Sequence, residues 1–171
     1  MDLELKDRIV LVTGSARGAG QAMAVLFGCE GARVVVNYHS SAGPAEETAQ
    51  AVRDAGGQAL IVQADVAERA SMGRLVEQVR AAWGPIQVLV NNASLYADET
   101  ELDQVTDETL ARVWDVVVRG AVVAGAACVP GMREAGWGRI VNITSRSGIM
   151  GSPRNTHYAA AKSALVGITR S

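Results

Sequence analysis

Five short runs of aliphatic, mostly β-branched residues alternate with longer amphipathic stretches, and that alternation leaves the chain few folds to adopt. The runs are residues 8–13, 33–37, 59–63, 88–91 and 139–143. Most are apolar on successive positions rather than on every second one, the mark of strands covered on both faces. The segments between them carry helical spacing. Leu75, Val76, Val79, Ala82 and Trp83 form one stripe, which Gly84-Pro85 stops. Thr106, Asp107 and Glu108 read as an N-cap with an acidic first turn. The long helix they open is expected to bury Leu110, Val113, Trp114, Val117, Ala121 and Ala124, until Gly136-Trp137-Gly138 breaks it. A last helix should begin near Asn155 and run to the C-terminus. Alternation without repeat or linker predicts one α/β domain over residues 1–171, a doubly wound parallel sheet of about five strands.

Composition works by exclusion. A formal charge of −2 offers no basic field for nucleic acid or acidic lipid. The longest nearly apolar run, residues 120–130, is too short to span a bilayer. Residues 1–7 show neither a basic segment nor an apolar one after it, so no signal peptide is expected. Cys29 and Cys128 stand far apart in apolar helical stretches, which predicts two buried thiols and no disulfide framework. His39 and His157 have no ligand-spaced neighbours, so no metal is expected. Asp98, Glu99 and Glu101 read as a solvated loop. These features are those expected of a cytoplasmic, globular chain.

Two segments carry chemistry. The first strand runs into TGSARGAG at residues 13–20, where Gly14 and Gly18 suit a tight turn and let a pyrophosphate approach backbone amides at a helix N-terminus. Near the other end lies YAAAK at residues 158–162. Its i, i+4 spacing puts the Tyr158 phenol and Lys162 ammonium on one helix face, where the cation favours phenolate and so suits proton transfer. Fourteen of the 16 basic residues are Arg, so a lysine at 162 stands out as a compact, titratable cation. Ser145 follows the fifth strand, on the side where open α/β sheets take ligands.

Together these segments, with Asp65-Val66, Asn91-Asn92-Ala93 and GRIVNITS at 138–145, resemble the short-chain dehydrogenase/reductase family over essentially the whole chain. The resemblance implies a Rossmann-like fold and hydride exchange between a nicotinamide cofactor and a carbonyl or alcohol. It casts Tyr158 as the acid/base, Ser145 as holder of the substrate oxygen, and Lys162 as the cation that lowers the Tyr pKa and binds the nicotinamide ribose. Gly14, Ser15, Ala16, Arg17 and Gly18 would contact cofactor phosphates and ribose, Asp65 and Val66 the adenine, and Asn92 and Ala93 would line the cleft. Asn37-Tyr38-His39-Ser40-Ser41 ends the second strand without a carboxylate to repel a 2′-phosphate, and His39 and Ser40 are assigned to the cofactor. With Arg17 as the positive charge, NADPH is expected over NADH. The look of the chain is most similar to 3-oxoacyl-carrier-protein reductases, with a pterin or other ring substrate as the alternative. Relatives pair the long helix and the YxxxK helix across a two-fold axis, which implies a homodimer or homotetramer. Gly120, Ala121, Ala124, Gly125 and Ala127 are expected to admit the partner.

Three departures bear on activity. Ser94 stands where the family carries Gly, and Val117 where it carries Asn. The two closing strands and substrate-covering loop of relatives have no counterpart before Ser171, which falls inside a helical pattern. An incomplete chain, with an open edge at the fifth strand and little turnover, is therefore expected of residues 1–171 alone. A cofactor-binding module without turnover is the other reading.

Overall fold

The β-branched runs form the strands their pattern predicts. A computed structural model describes residues 3–171; Met1 and Asp2, part of the N-terminal stretch read above, lie outside the described residues. The elements are β1 (Ile9–Val12), α1 (Gly18–Cys29), β2 (Arg33–Tyr38), α2 (Ala42–Asp54), β3 (Gln58–Gln63), α3 (Arg69–Ala82) and β4 (Val88–Asn91), then α4 (Asp107–Trp114), α5 (Gly120–Glu134), β5 (Arg139–Asn142), α6 (Ser147–Met150) and α7 (Thr156–Arg170). The strands are all parallel in the order β3-β2-β1-β4-β5. The order reverses between β1 and β4, where a doubly wound sheet opens a crevice at its carboxyl ends.

Strand alternation sorts the core into two layers. Ile9, Leu11 and Leu89 face Met72, Leu75 and Val79 of α3 and Val123, Ala124 and Cys128 of α5. Val10, Val12, Val34, Val36 and Val90 face Ala24 of α1 and Ala45, Ala49 and Val52 of α2. A third cluster joins Val113, Val117 and Ala121 of the long helix to Ala161 and Leu165 of α7.

The helix from Asp107 to Glu134 is continuous and, by length and composition, apolar enough to cross a membrane. Its Val113, Val117, Ala121, Ala124 and Cys128 are nonetheless buried inside this domain, so core packing accounts for its composition. Residues Asp115–Arg119 form a π turn, closed by Gly120 N–H donating to Asp115 O, which a uniform helical pattern did not foretell. Thr106 caps the helix as expected, its Oγ1 accepting from Thr109 N at 3.1 Å.

Several expectations are corrected. Leu110 and Trp114 are 42% and 44% exposed, because α7 covers the Val113–Val117–Ala121 stripe and leaves their i, i+4 face bare. Gly120, Ala121 and Ala124 are used within the chain: a Cβ on Gly120 would lie 2.9 Å from Val66 Cγ2. Gly125, by contrast, has open space where a Cβ would stand. Cys29 is exposed at the end of α1, since Gly28 takes the packing position against Val52. The acidic loop is surface-lying yet docked, with Glu99 accepting from Arg154 at 2.9 Å. The fifth strand forms the sheet edge among the described residues, with Ile140 and Val141 exposed.

Burial pushes the Cys128 thiol up to about 12, so it holds almost no thiolate at neutral pH. One thiol should therefore react readily with a maleimide in the folded protein and the second only after unfolding. Two equally fast thiols would contradict this packing.

Candidate active site

The glycine turn is shaped from beneath by side chains that are themselves buried. Thr13 Oγ1 donates to Val90 O at 3.2 Å and accepts from Asn92 N and Ala93 N, both at 3.0 Å. Asn37 Oδ1 accepts from Gly14 N at 3.1 Å, while its Nδ2 donates to Val62 O and Ala64 O at 3.3 and 3.1 Å. Ser15 Oγ accepts from Asn37 N at 3.0 Å, so this hydroxyl is directed at the sheet rather than the cleft. Gly14 and Gly18 have φ of +63° and +61°, where a side chain would strain the backbone. Gly20 is needed for a different reason: a Cβ there would sit 2.6 Å from Gly14 O and from Asn92 Nδ2.

Above this turn lies a cleft of about 450 Å³ that gathers nine residues singled out from the sequence: Gly14, Ala16, Arg17, His39, Ser40, Asp65, Val66, Asn92 and Ala93. Asp65 is anchored by its Oδ1 accepting from Ala67 N at 2.8 Å, and its Oδ2 lies 3.8 Å from His39 Nε2. Gly18, with no atom within 4 Å of a notional Cβ, presents open backbone at the start of α1. Positive-φ glycines, a helix N-terminus and a polar far end fit a dinucleotide phosphate and ribose. Tyr158 and Lys162 are not among the residues lining this cleft.

They stand on the first turns of α7, which is tied to the end of β5. Lys162 Nζ donates to Ile143 O at 2.7 Å, and Thr144 Oγ1 donates to Lys162 O at 2.7 Å. The lysine is buried, and its ammonium lies 5.7 Å from the centroid of the Tyr158 ring. Ser145, two residues beyond Ile143, accepts at Oγ from Ser147 N at 3.2 Å, which leaves its own hydrogen without a described acceptor. Gly148 lets α6 close on α7, since a Cβ there would meet Lys162 C at 2.8 Å. Thr13 and Asn37 were given no role from the sequence; the available signal for Asn37 was a lone amide following the valines at 34–36. His157 is fully buried with neither ring nitrogen partnered, and no metal-like cluster exists among the described residues.

A parallel sheet with a glycine turn at its switch point, and a Tyr-x-x-x-Lys helix tied to the end of β5, define a dinucleotide-dependent oxidoreductase domain. The chain belongs to the short chain dehydrogenase family, whose model matches residues 8–171. Members of this family bind NAD(H) or NADP(H) and act on small molecules. It is 36% identical over 166 residues to a 3-oxoacyl-(acyl-carrier-protein) reductase of Synechocystis, covering 97% of this chain and 67% of that protein. It is 35% identical over 165 residues to a cis-4-hydroxycyclohexanecarboxylate dehydrogenase of Sinomonas cyclohexanicum, covering 96% and 66%. An uncharacterized oxidoreductase of Thermotoga maritima is 32% identical over 169 residues, covering 99% and 66%. The chain thus spans about two thirds of the length of the curated relatives it matches.

Burial holds the Lys162 pKa below the usual lysine range, because desolvation penalises the ammonium. Between the folded and unfolded pKa the unfolded chain binds the extra proton, so folding stability should rise with pH across that window. Lys6 and Lys162 are the only lysines. Lysine-labelled NMR can therefore follow the Lys162 signal, assigned by its loss in Lys162→Arg. A midpoint at or above the ordinary lysine value would contradict the buried setting.

Proposed function

We propose that this chain carries the catalytic and cofactor-binding part of an NADPH-dependent carbonyl reductase, with Tyr158 as the proton donor. The observation that supports this best is the buried Lys162 ammonium beside the Tyr158 ring, at the carboxyl end of β5. A bound reduced nicotinamide supplies the hydride. Tyr158 gives its phenolic proton to the substrate oxygen, and Ser145 holds that oxygen with its free hydroxyl hydrogen. The Lys162 ammonium stabilises the negative charge left on the phenol oxygen. Gly14, Ala16 and Gly18 would offer backbone to the phosphates and Asp65 and Val66 would hold the adenine, with Asn92 and Ala93 in the cleft wall.

The substrate class follows from what surrounds the chemistry. Tyr96, Ile149 and Met150 are large apolar side chains left 61%, 74% and 78% exposed, on the segments that follow β4 and Ser145. They suit a ketone with a hydrocarbon flank such as a 3-oxoacyl thioester, and the printed name of the Synechocystis relative agrees. A pterin or other flat ring is the alternative that Tyr96 would also accommodate. A cytoplasmic setting goes with this reading, where reduced cofactor and free thiols coexist.

Val117 favours a second reading. Its side chain lies in the apolar cluster with Ala161 and Leu165, so it supplies no polar group to a proton relay. On that reading the domain binds cofactor without turnover. NADPH oxidation over a panel of ketones separates the two. Tyr158→Phe should cut kcat by at least ~10²-fold, the scale of general acid catalysis, with NADPH affinity nearly intact. A Tyr158→Phe enzyme with undiminished kcat would remove the mechanism.

NADPH preference rests on Arg17, His39 and Ser40 at the cleft end, where β2 carries no carboxylate and Arg17 makes no ion pair among the described residues. Arg17→Ala should weaken NADPH about tenfold or more while leaving NADH nearly unchanged. Equal losses for both cofactors would sink the assignment. Association as a homodimer or homotetramer would cover Leu110, Trp114 and Val122, the exposed stripe of the long helix. Light scattering should show Trp114→Glu shifting the protein towards monomer, and an unshifted mass would argue against this face.

A further inference from the structure

We propose that Tyr96 is a positioning residue for Tyr158, holding the phenol ring through a brace to Asn155. The inference rests on Tyr158 being the proton donor. The Tyr96 ring meets the Tyr158 ring edge to face, with centroids 5.4 Å apart and planes at 64°. With the Lys162 ammonium 5.7 Å from the same ring, two neighbours restrict its tilt. Edge-to-face pairs favour one mutual orientation of the two quadrupoles, so a fixed Tyr96 biases where the Tyr158 hydroxyl points.

Tyr96 is itself held. Its oxygen accepts from Asn155 Nδ2 at 3.0 Å, and Asn155 is only 2% exposed. Asn155 occupies the N-cap of α7, a place where an asparagine oxygen ordinarily accepts from the amides of the first turn. Here the side chain makes no such cap, and Oδ1 is buried without a partner. The amide nitrogen thus points at Tyr96 while the oxygen is held away from the first-turn amides it would ordinarily accept from. Two further links fasten the same loop to the residues before α7: Thr100 N donates to Arg154 O at 2.8 Å, and Arg154 pairs with Glu99 at 2.9 Å. Arg154 has φ of +54°, a left-handed conformation that a non-glycine residue keeps only when its surroundings enforce it. The loop after β4, which carries Asn92 and Ala93 of the cofactor cleft, is thereby latched to the helix carrying the proton donor. A ring serving only as a substrate wall would not need this support.

The test uses the full chain with saturating NADPH and a reactive diketone. Tyr96→Leu should lower kcat about tenfold or more, by a larger factor than it raises KM, with NADPH affinity within about twofold. Its kcat profile should also shift along the pH axis, as a reoriented phenol changes its charged neighbours. Tyr96→Phe and Asn155→Leu should each cost several-fold, and the double variant no more than the worse single, since both break one bond. The protein has three tyrosines, so ring-labelled NMR reads the brace without turnover. Tyr96→Leu should shift and broaden the Tyr158 signals and spare those of Tyr38. An unchanged Tyr158 spectrum, additive losses, a change in KM alone, or a parallel fall in NADPH affinity would overturn the proposal. If Tyr158→Phe keeps full activity, the reading of the site fails instead. If Tyr158→Phe is inactive while Tyr96→Leu is unimpaired, only the brace is lost.

Discussion

The cofactor cleft depends on one buried polar knot, the meeting of Thr13, Ser15 and Asn37 beneath the glycine turn. A chain leaving β1 must reverse tightly while exposing its amides, so its remaining backbone groups need partners inside the protein. Asn37 supplies them from β2 and reaches on to β3, while Thr13 supplies them to the strand on the other side, β4. Three strands and the turn are thus held by two side chains, each almost wholly buried. Leaving any one of these buried partners unsatisfied costs about 1–3 kcal/mol, a large fraction of what a domain this size has in reserve.

The far half of the site follows the same economy with a charged group. Lys162 is packed between the end of β5 and the first turns of α7, and its ammonium gives one of its three hydrogens to the Ile143 carbonyl. Burying that cation is unfavourable, as its lowered pKa records, yet the same bond fixes where α7 starts relative to the sheet. Thr144 and the missing side chain of Gly148 bring the helix in from two further directions. A residue that holds its helix in place and stands beside the Tyr158 ring cannot easily be replaced by the arginine used almost everywhere else in this chain.

Which parts of this were legible beforehand follows from their periodicity. Buried parallel strands announce themselves by continuous valine and isoleucine, and the turn after β1 by its glycines, so sheet and order of elements could be read directly, while the other cleft residues were named only through the family resemblance. What escaped depends on neighbours distant in sequence. Leu110 and Trp114 carry the same apolar signal as Val113, and only the position of α7 decides which face is covered. Cys29 and Gly28 exchange roles because α2 approaches the glycine. Asn37 resembled an ordinary strand end, since its bonds around the turn go to segments up to 27 residues away. His157 and the brace through Tyr96 were invisible for the same reason.

The replacement at Val117 is best weighed against the π turn that contains it. Asp115–Arg119 widens the helix there by one residue per turn, so backbone groups are displaced from the regular ladder whatever the side chain is. Valine is a poor substitute for a polar side chain but a good one for packing, and Val117 fills the seam against Ala161 and Leu165 of α7. The seam aligns Tyr158 and Lys162, which lie on the same helix as those two residues. A local polar function, if surrendered at this position, is therefore exchanged for tighter seating of the helix that carries Tyr158 and Lys162.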